Sequence, residues 1–310
     1  MTDFYKSFEN KFRGSRNTIR RRLEVYLPFV LPLLEIYQNA LVLDLGCGRG
    51  EWLELISEYG FCATGVDLDE EMLADCRDLD LNVHLGEALA YLKSIPDKSQ
   101  VIVSAFHLVE HVSFDDLRLI VNESLRVLKP AGILILETPN TENLFIGSSA
   151  FYLDPTHQRP IPSELLKFVS DFSGFKRSKI LYLNEDPNLQ NSQNLRLFNV
   201  LVGVSPDYSI VAQKDAQSET MHRFDPPFAL SMGVSLRSLA FNYDQYYSDL
   251  LGKMQVQIDT AINAAADATA RTQKAEGHLN VILNSLPWKL INVPIRVLSY
   301  FKRLLFSRSG

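Results

Sequence analysis

Four side chains able to bind a metal or move a proton lie close together in the sequence. His107, Glu110 and His111 fall within five residues, and His157 follows with Asp154 three positions before it. His107 and His111 are four apart, a spacing that brings side chains to one side of a helical turn. Two readings of the first three stay open. They can be the polar wall of a pocket, with a histidine hydrogen-bonded to a backbone group. They can also ligate a divalent cation, and so much imidazole favours a transition metal over magnesium. His157 has three roles open to it. Oriented by Asp154, it can deprotonate an attacking hydroxyl. It can instead complete the metal set, or cap the helix expected over 162–172.

A second constellation lies earlier, in Leu41 to Trp52, LVLDLGCGRGEW. An apolar run leads into Asp44, then Gly46, Gly48 and Gly50 alternate with Cys47 and Arg49. Three glycines in five residues let the backbone take positive φ and approach a ligand, while the N–H groups of the next helix point into the same space. The spacing is neither G-x-G-x-x-G nor a Gly-Lys-Ser/Thr ending. Asp44 repels a phosphate and suits a cationic ligand. About twenty residues after the glycines, Asp67 ends the next strand, where an open α/β sheet can hydrogen-bond ribose hydroxyls.

These groups need an alternating scaffold. Strands are expected at 41–43, 63–66, 83–85, 101–105 and 133–137, with closing antiparallel strands at 180–183, 197–202 and 209–212. Helices are expected at 51–59, 71–77, 115–127 and 162–172. The loop from Glu137 to Arg159 puts Phe151 to His157 at the carboxyl edge of the sheet, where recognition of a second substrate belongs. A chain of 310 residues holds one such α/β domain and something more. The net charge of −6 gives no overall attraction to nucleic acid. Cys47, Cys62 and Cys76, without paired metal spacing, suggest a reducing cytosol. No apolar run reaches eighteen residues and the N-terminus is polar and basic, so the active domain is expected on the cytoplasmic side.

Asp44 to Gly50, D-L-G-C-G-R-G, resembles motif I of the class I S-adenosylmethionine (SAM) methyltransferases, and the resemblance extends over the first ~215 residues. It implies a Rossmann-like, seven-stranded domain with SAM as cofactor, its amino-acid end over the glycine turn. Site residues implied are Asp44, Gly46, Cys47, Gly48 and Gly50 in the turn, and Asp67 and Leu68 at the ribose. Glu87 and Ala88 then lie near the adenine, and Ala105 closes the fourth strand, which faces the methyl group. Small-RNA 2′-O-methyltransferases show a similar E-x-x-E-H arrangement with a later histidine. Here it reads H-x-x-E-H, which makes His107, Glu110, His111 and His157 the metal set and His157, Asp154 and His111 the catalytic candidates.

The flanks carry further expectations. Residues 1–38 form a helical cap whose basic residues Lys11, Arg13, Arg16, Arg20, Arg21 and Arg22 either cover the cofactor pocket or receive an anionic substrate. Residues 39–214 form the methyltransferase domain, and 215–231, with Pro226 and Pro227, a linker. In 232–286 an apolar or small residue recurs at steps of four and three, through Leu251, Met254, Ile258, Ala261, Ala265, Ala268, Thr272, Ala275, Leu279, Ile282 and Leu286. That pattern predicts a coiled coil about 60 Å long, and a trimer slightly ahead of a dimer. In 287–310, Asn292, Arg296, Ser299 and Arg303 share one helical face opposite Ile295, Val297, Leu298, Phe301, Leu304 and Leu305. This basic amphipathic tail suits a membrane interface or a partner's groove, and is too short to span. With F-R-G-S-R at Phe12 to Arg16 and Y-L-D-P-T-H at Tyr152 to His157, the combination resembles the bacterial O-antigen chain-terminating methyltransferases. The resemblance implies a glycan acceptor on a lipid carrier, a glycosyltransferase or polymerase partner recruited by the tail, and a peripheral place on the inner membrane in lipopolysaccharide biosynthesis. A small-molecule (quinone) methyltransferase and a non-catalytic scaffold are the rival readings.

Overall fold

The structure, a computed structural model, describes residues 14–189 and 195–306, without the side chains of 291–296 and 304–306. Lys11, Arg13 and the start of F-R-G-S-R lie outside the described residues, as do the tail side chains Asn292, Ile295, Arg296, Leu304 and Leu305. The chain divides into two compact units, one through Asp244 and one from Gln245.

The first unit is a seven-stranded mixed sheet flanked by helices. Its strands are β1 (Leu41–Leu45), β2 (Cys62–Asp67), β3 (Val83–Leu85), β4 (Gln100–Phe106), β5 (Leu128–Pro139), β6 (Arg177–Leu183) and β7 (Asp207–Gln213), in the order β3-β2-β1-β4-β5-β7-β6. Parallel pairing joins β1 to β2 and β4, and β4 to β5, whereas β7 runs antiparallel between β5 and β6. The order reverses between β1 and β4, which opens a crevice at their carboxyl ends. Every residue of β4 is buried, Gln100 and Ser104 included, as suits a central strand with helices on both faces.

Two cores result. Tyr26, Phe29, Trp52, Phe106 and Phe224 pack on one face, and Leu43, Val103, Leu117, Leu134 and Ile210 on the other. The helices that matter for the site are α1 (Arg16–Leu23), α2 (Glu51–Glu58), α3 (Glu70–Arg77), α4 (Ala88–Ser94), α5 (Phe114–Val127) and α6 (Ser163–Ser173).

Two expectations fail here. Leu197–Val202 is not a strand but a helix, α7, with only Val200 buried; β7 already has a partner on each side, so no strand edge is left for it in the middle of the sheet. Residues 215–231 are no bare linker either, since they fold as α8 (Ser218–His222) and α9 (Asp225–Ala229). Met221 and Phe224 enter the core, and the Arg177 guanidinium donates to Asp225 Oδ1 at 2.6 Å and to the Met221 carbonyl at 2.8 Å. Pro226 and Pro227 open α9, where their missing N–H groups cost nothing.

Helix α10 runs from Leu236 to Asn284, 49 residues, or about 74 Å at 1.5 Å per residue. Leu251, Met254, Ile258, Leu279 and Ile282 are exposed along it. Helix α11 covers Leu286–Phe306. Among the described residues no helix is long and apolar enough to cross a membrane.

Candidate active site

The cofactor side is built mostly from backbone. Gly46, Gly48 and Gly50 take φ of 68°, 51° and 76°, the left-handed region that glycine enters freely. A Cβ on Gly50 would stand 2.7 Å from Leu81 and 2.9 Å from Cys76 Sγ, so the position is closed to side chains. Asp67 fastens the turn: its Oδ2 accepts the Gly48 N–H at 2.8 Å and its Oδ1 the Asp69 N–H at 2.9 Å. Asp44 is buried at the end of β1 and accepts the Ser104 hydroxyl at 2.7 Å. Cys47 and Ala105 are buried, while Leu68 is exposed. Glu87 does not offer a free carboxylate, because both oxygens accept N–H groups of Leu89 and Ala90 and so cap α4 beside Ala88. Over the turn lies a cavity of about 50 Å³ that opens to solvent, whose wall includes Asp44, Gly46, Glu51, Trp52, Phe106, His107 and Glu137. A glycine cradle with carboxylates around it suits the ammonium and sulfonium charges of SAM.

The basic cap serves this side. Arg16 donates twice to Glu54, at 2.7 and 3.0 Å, and to the Arg49 carbonyl at 2.5 Å; Arg20 pairs with Glu54 and Glu58. Both arginines therefore dock α1 onto α2 beside the glycine turn, which removes them from the anionic-substrate reading. Arg22 lines the cavity.

On the other side of the crevice, the expected four-ligand set divides in two. Glu110, His111 and His157 bring one ligand atom each within 4.8 Å of one another, and a separate group forms from His107, Glu137 and Asp207. His107 leaves the first group because its φ of +55° turns it away before the short 3₁₀ helix Val109–His111 begins. Its Nδ1 lies 3.2 Å from Glu110, and its Nε2 3.5 Å from Glu137. Burial opposes charge on His107, but hydrogen bonds to Glu110 and Glu137 and the field of Asp207 outweigh it and raise its pKa well above the ordinary value.

The two remaining histidines have fixed tautomers, assigned from their hydrogen bonds. The Thr156 hydroxyl donates its one proton to Asp154 Oδ1 at 2.6 Å, so at 2.9 Å it accepts from His111 Nδ1–H. His157 Nδ1–H donates to the Phe151 carbonyl at 2.6 Å. Both rings thus keep an Nε2 lone pair, and they lie 4.6 Å apart between centroids. Desolvation lowers the His111 pKa, which keeps it neutral at pH 7. Asp154 does not orient His157 as expected, for its Oδ2 is 4.0 Å from Nε2; through Thr156 it orients His111 instead. His157 caps nothing, since α6 starts at Ser163 with no side-chain cap. This group can accept a proton or hold a divalent cation.

Tyr26, Glu137, Thr138 and Asp207 went unseen in the sequence. Buried Tyr26 donates to Glu137 Oε2, and Thr138 to Glu110 Oε2 at 2.9 Å. The one sequence signal was Glu137 itself, a charge ending the apolar run of β5.

A doubly wound sheet with a glycine turn at its switch point defines an enzyme that binds a nucleoside-bearing cofactor. The methyltransferase domain family matches residues 43–136. A SAM-dependent methyltransferase from Archaeoglobus fulgidus is 34% identical, with a TM-score of 0.61 over 68% of this chain and 100% of that one. The chain belongs to the SAM-dependent methyltransferases, and its cofactor is SAM. A probable SAM-dependent methyltransferase of Mycolicibacterium smegmatis is 30% identical over 44% of this chain and 51% of that protein. A ubiquinone biosynthesis O-methyltransferase of Hydrogenovibrio crunogenus is 26% identical over 58% and 77%. The chain thus spans about half the length of the first of these curated relatives.

Proposed function

We propose that this enzyme methylates a hydroxyl on the terminal sugar of a lipopolysaccharide O-antigen glycan and so ends chain extension. The observation that carries O-methylation is the pair of Nε2 lone pairs on His111 and His157, locked by Thr156 and the Phe151 carbonyl. The acceptor oxygen attacks the methyl carbon in line as the carbon–sulfur bond breaks, S-adenosylhomocysteine leaves, and the hydroxyl proton passes to an Nε2. SAM supplies the activated methyl group. The turn around Gly46–Gly50, held by Asp67, binds and orients it.

The glycan reading is supported by the 49 residues of α10 with exposed apolar positions at heptad steps, followed by the basic helix α11. A coiled coil of two or three chains sets the active site off from a membrane, and α11 engages the inner membrane surface or a polymerase. Mass spectrometry of lipopolysaccharide glycan from cells with and without the gene tests this. A terminal methyl that disappears while chains lengthen supports it, and an unchanged glycan overturns it. Similarity to the ubiquinone O-methyltransferases favours a quinone as the second reading, in which case the quinone pool changes instead.

A further inference from the structure

Where β4, β5 and β7 meet, three lone-pair donors converge. His107 Nε2 lies 3.5 Å from Glu137 Oε1 and 3.9 Å from Asp207 Oδ1. The other oxygen of each carboxylate is already held. Glu137 Oε2 accepts the Tyr26 hydroxyl, and Asp207 Oδ2 accepts Asn184 Nδ2 at 2.8 Å. The second ring nitrogen, Nδ1, faces Glu110 Oε1 at 3.2 Å. With Nδ1–H directed at Glu110, Nε2 and two carboxylate oxygens face each other, a meeting that a proton on Nε2 or a metal ion in its place stabilises.

The spacing decides which cation suits it. Separations of 3.5 and 3.9 Å exceed good hydrogen bonds, so a proton on Nε2 serves both oxygens poorly. Ligand atoms about 2.1 Å from a tetrahedral metal stand about 3.4 Å from one another. Each donor also has the outer partner that metal ligands require: Glu110 behind His107, Tyr26 behind Glu137 and Asn184 behind Asp207. Glu110, fully buried, faces His107 Nδ1 through Oε1 at 3.2 Å and brings a third carboxylate to bear on the same ring.

We propose that His107, Glu137 and Asp207 form a site for a divalent cation of the Mn²⁺ or Zn²⁺ class, with its open position toward the cavity that His107 and Glu137 line. One imidazole and two carboxylates suit either ion. From there the ion takes the acceptor oxygen as a ligand and favours its deprotonation. That last role rests on the O-methylation reading, whereas the binding of the ion does not.

The test uses the full chain stripped with chelator and titrated calorimetrically with MnCl₂ or ZnSO₄ alone. One high-affinity ion per chain is expected for the unaltered protein. Glu137→Gln and Asp207→Asn should each weaken it by roughly a hundredfold or more, with SAM still binding to Asp207→Asn, and His157→Ala should leave it within about threefold. Electron–nuclear spin spectroscopy of bound Mn²⁺ in the unaltered protein needs no variant, and one coordinated imidazole nitrogen is expected. No ion bound overturns the proposal. So do two imidazole nitrogens, or binding lost in His157→Ala and kept in Asp207→Asn, because both assign the ion to Glu110, His111 and His157. If the ion binds as expected and the glycan is unmethylated, the site stands and the glycan reading falls.

Discussion

The two walls of the crevice are built in opposite ways. The cofactor wall is backbone: three left-handed glycines within five residues, closed by one carboxylate from the neighbouring strand. The acceptor wall is side chain: nine groups from the cap, β5, β7 and the loops after β4 and β5, each aimed by another. A backbone site tolerates little change in shape and much in chemistry, and a side-chain site the reverse.

Substitutions can break or sharpen that contrast. The largest effect is expected at His157→Ala, which removes a proton acceptor and should lower kcat by about 10²-fold or more. SAM affinity, read by calorimetry, should not move; a parallel loss of both would merge the two walls. Next comes Gly50→Ala, which forces a Cβ against Leu81 and Cys76 in a left-handed backbone. A cost of roughly 2 kcal/mol or more weakens SAM binding by at least about thirtyfold. Asp67→Ala frees the Gly48 N–H as well as the ribose side, and should raise the KM for SAM by about ten- to a hundredfold with kcat little changed. An unchanged KM contradicts the assignment.

The smallest substitution effect is expected at Arg16→Ala. Its part-exposed pair with Glu54 contributes about 1 kcal/mol at most, so SAM binding should fall only severalfold and glycan binding not at all. Loss of glycan binding alone would restore the anionic-substrate reading.

The pH profile tests the acceptor wall without substitution. Desolvation lowers the His111 pKa, against Glu110 and Asp154, which raise it, and alongside His157 and His107, which lower it further. The base form therefore fills below about pH 6.5, so kcat/KM should climb through acid pH and stay level from there to 8. A climb that continues past pH 7 would exclude a neutral His111 as the base.

The same contrast explains what could be read from the sequence. Asp44 to Gly50, Asp67 and five strands were legible because the signal is contiguous: an apolar run, then glycines, then a helix start. The acceptor wall depends on placement. Glu137 and Asp207 meet His107 only because β7 runs antiparallel beside β5, setting Glu137 opposite Ser209 and Pro139 opposite Asp207. Helical spacing put His107 and His111 on one face, but a positive φ at His107 separates them. The apolar run Leu197 to Val202 fits a strand or a helix equally by periodicity, and in the fold it is a helix.

Glu110 belongs to both halves of the acceptor wall, facing His107 through one oxygen and lying within ligand distance of His111 and His157. Charge arriving at either half alters the field the other feels. Cation capture and proton capture are then linked equilibria, each changing the affinity of the other by the same factor.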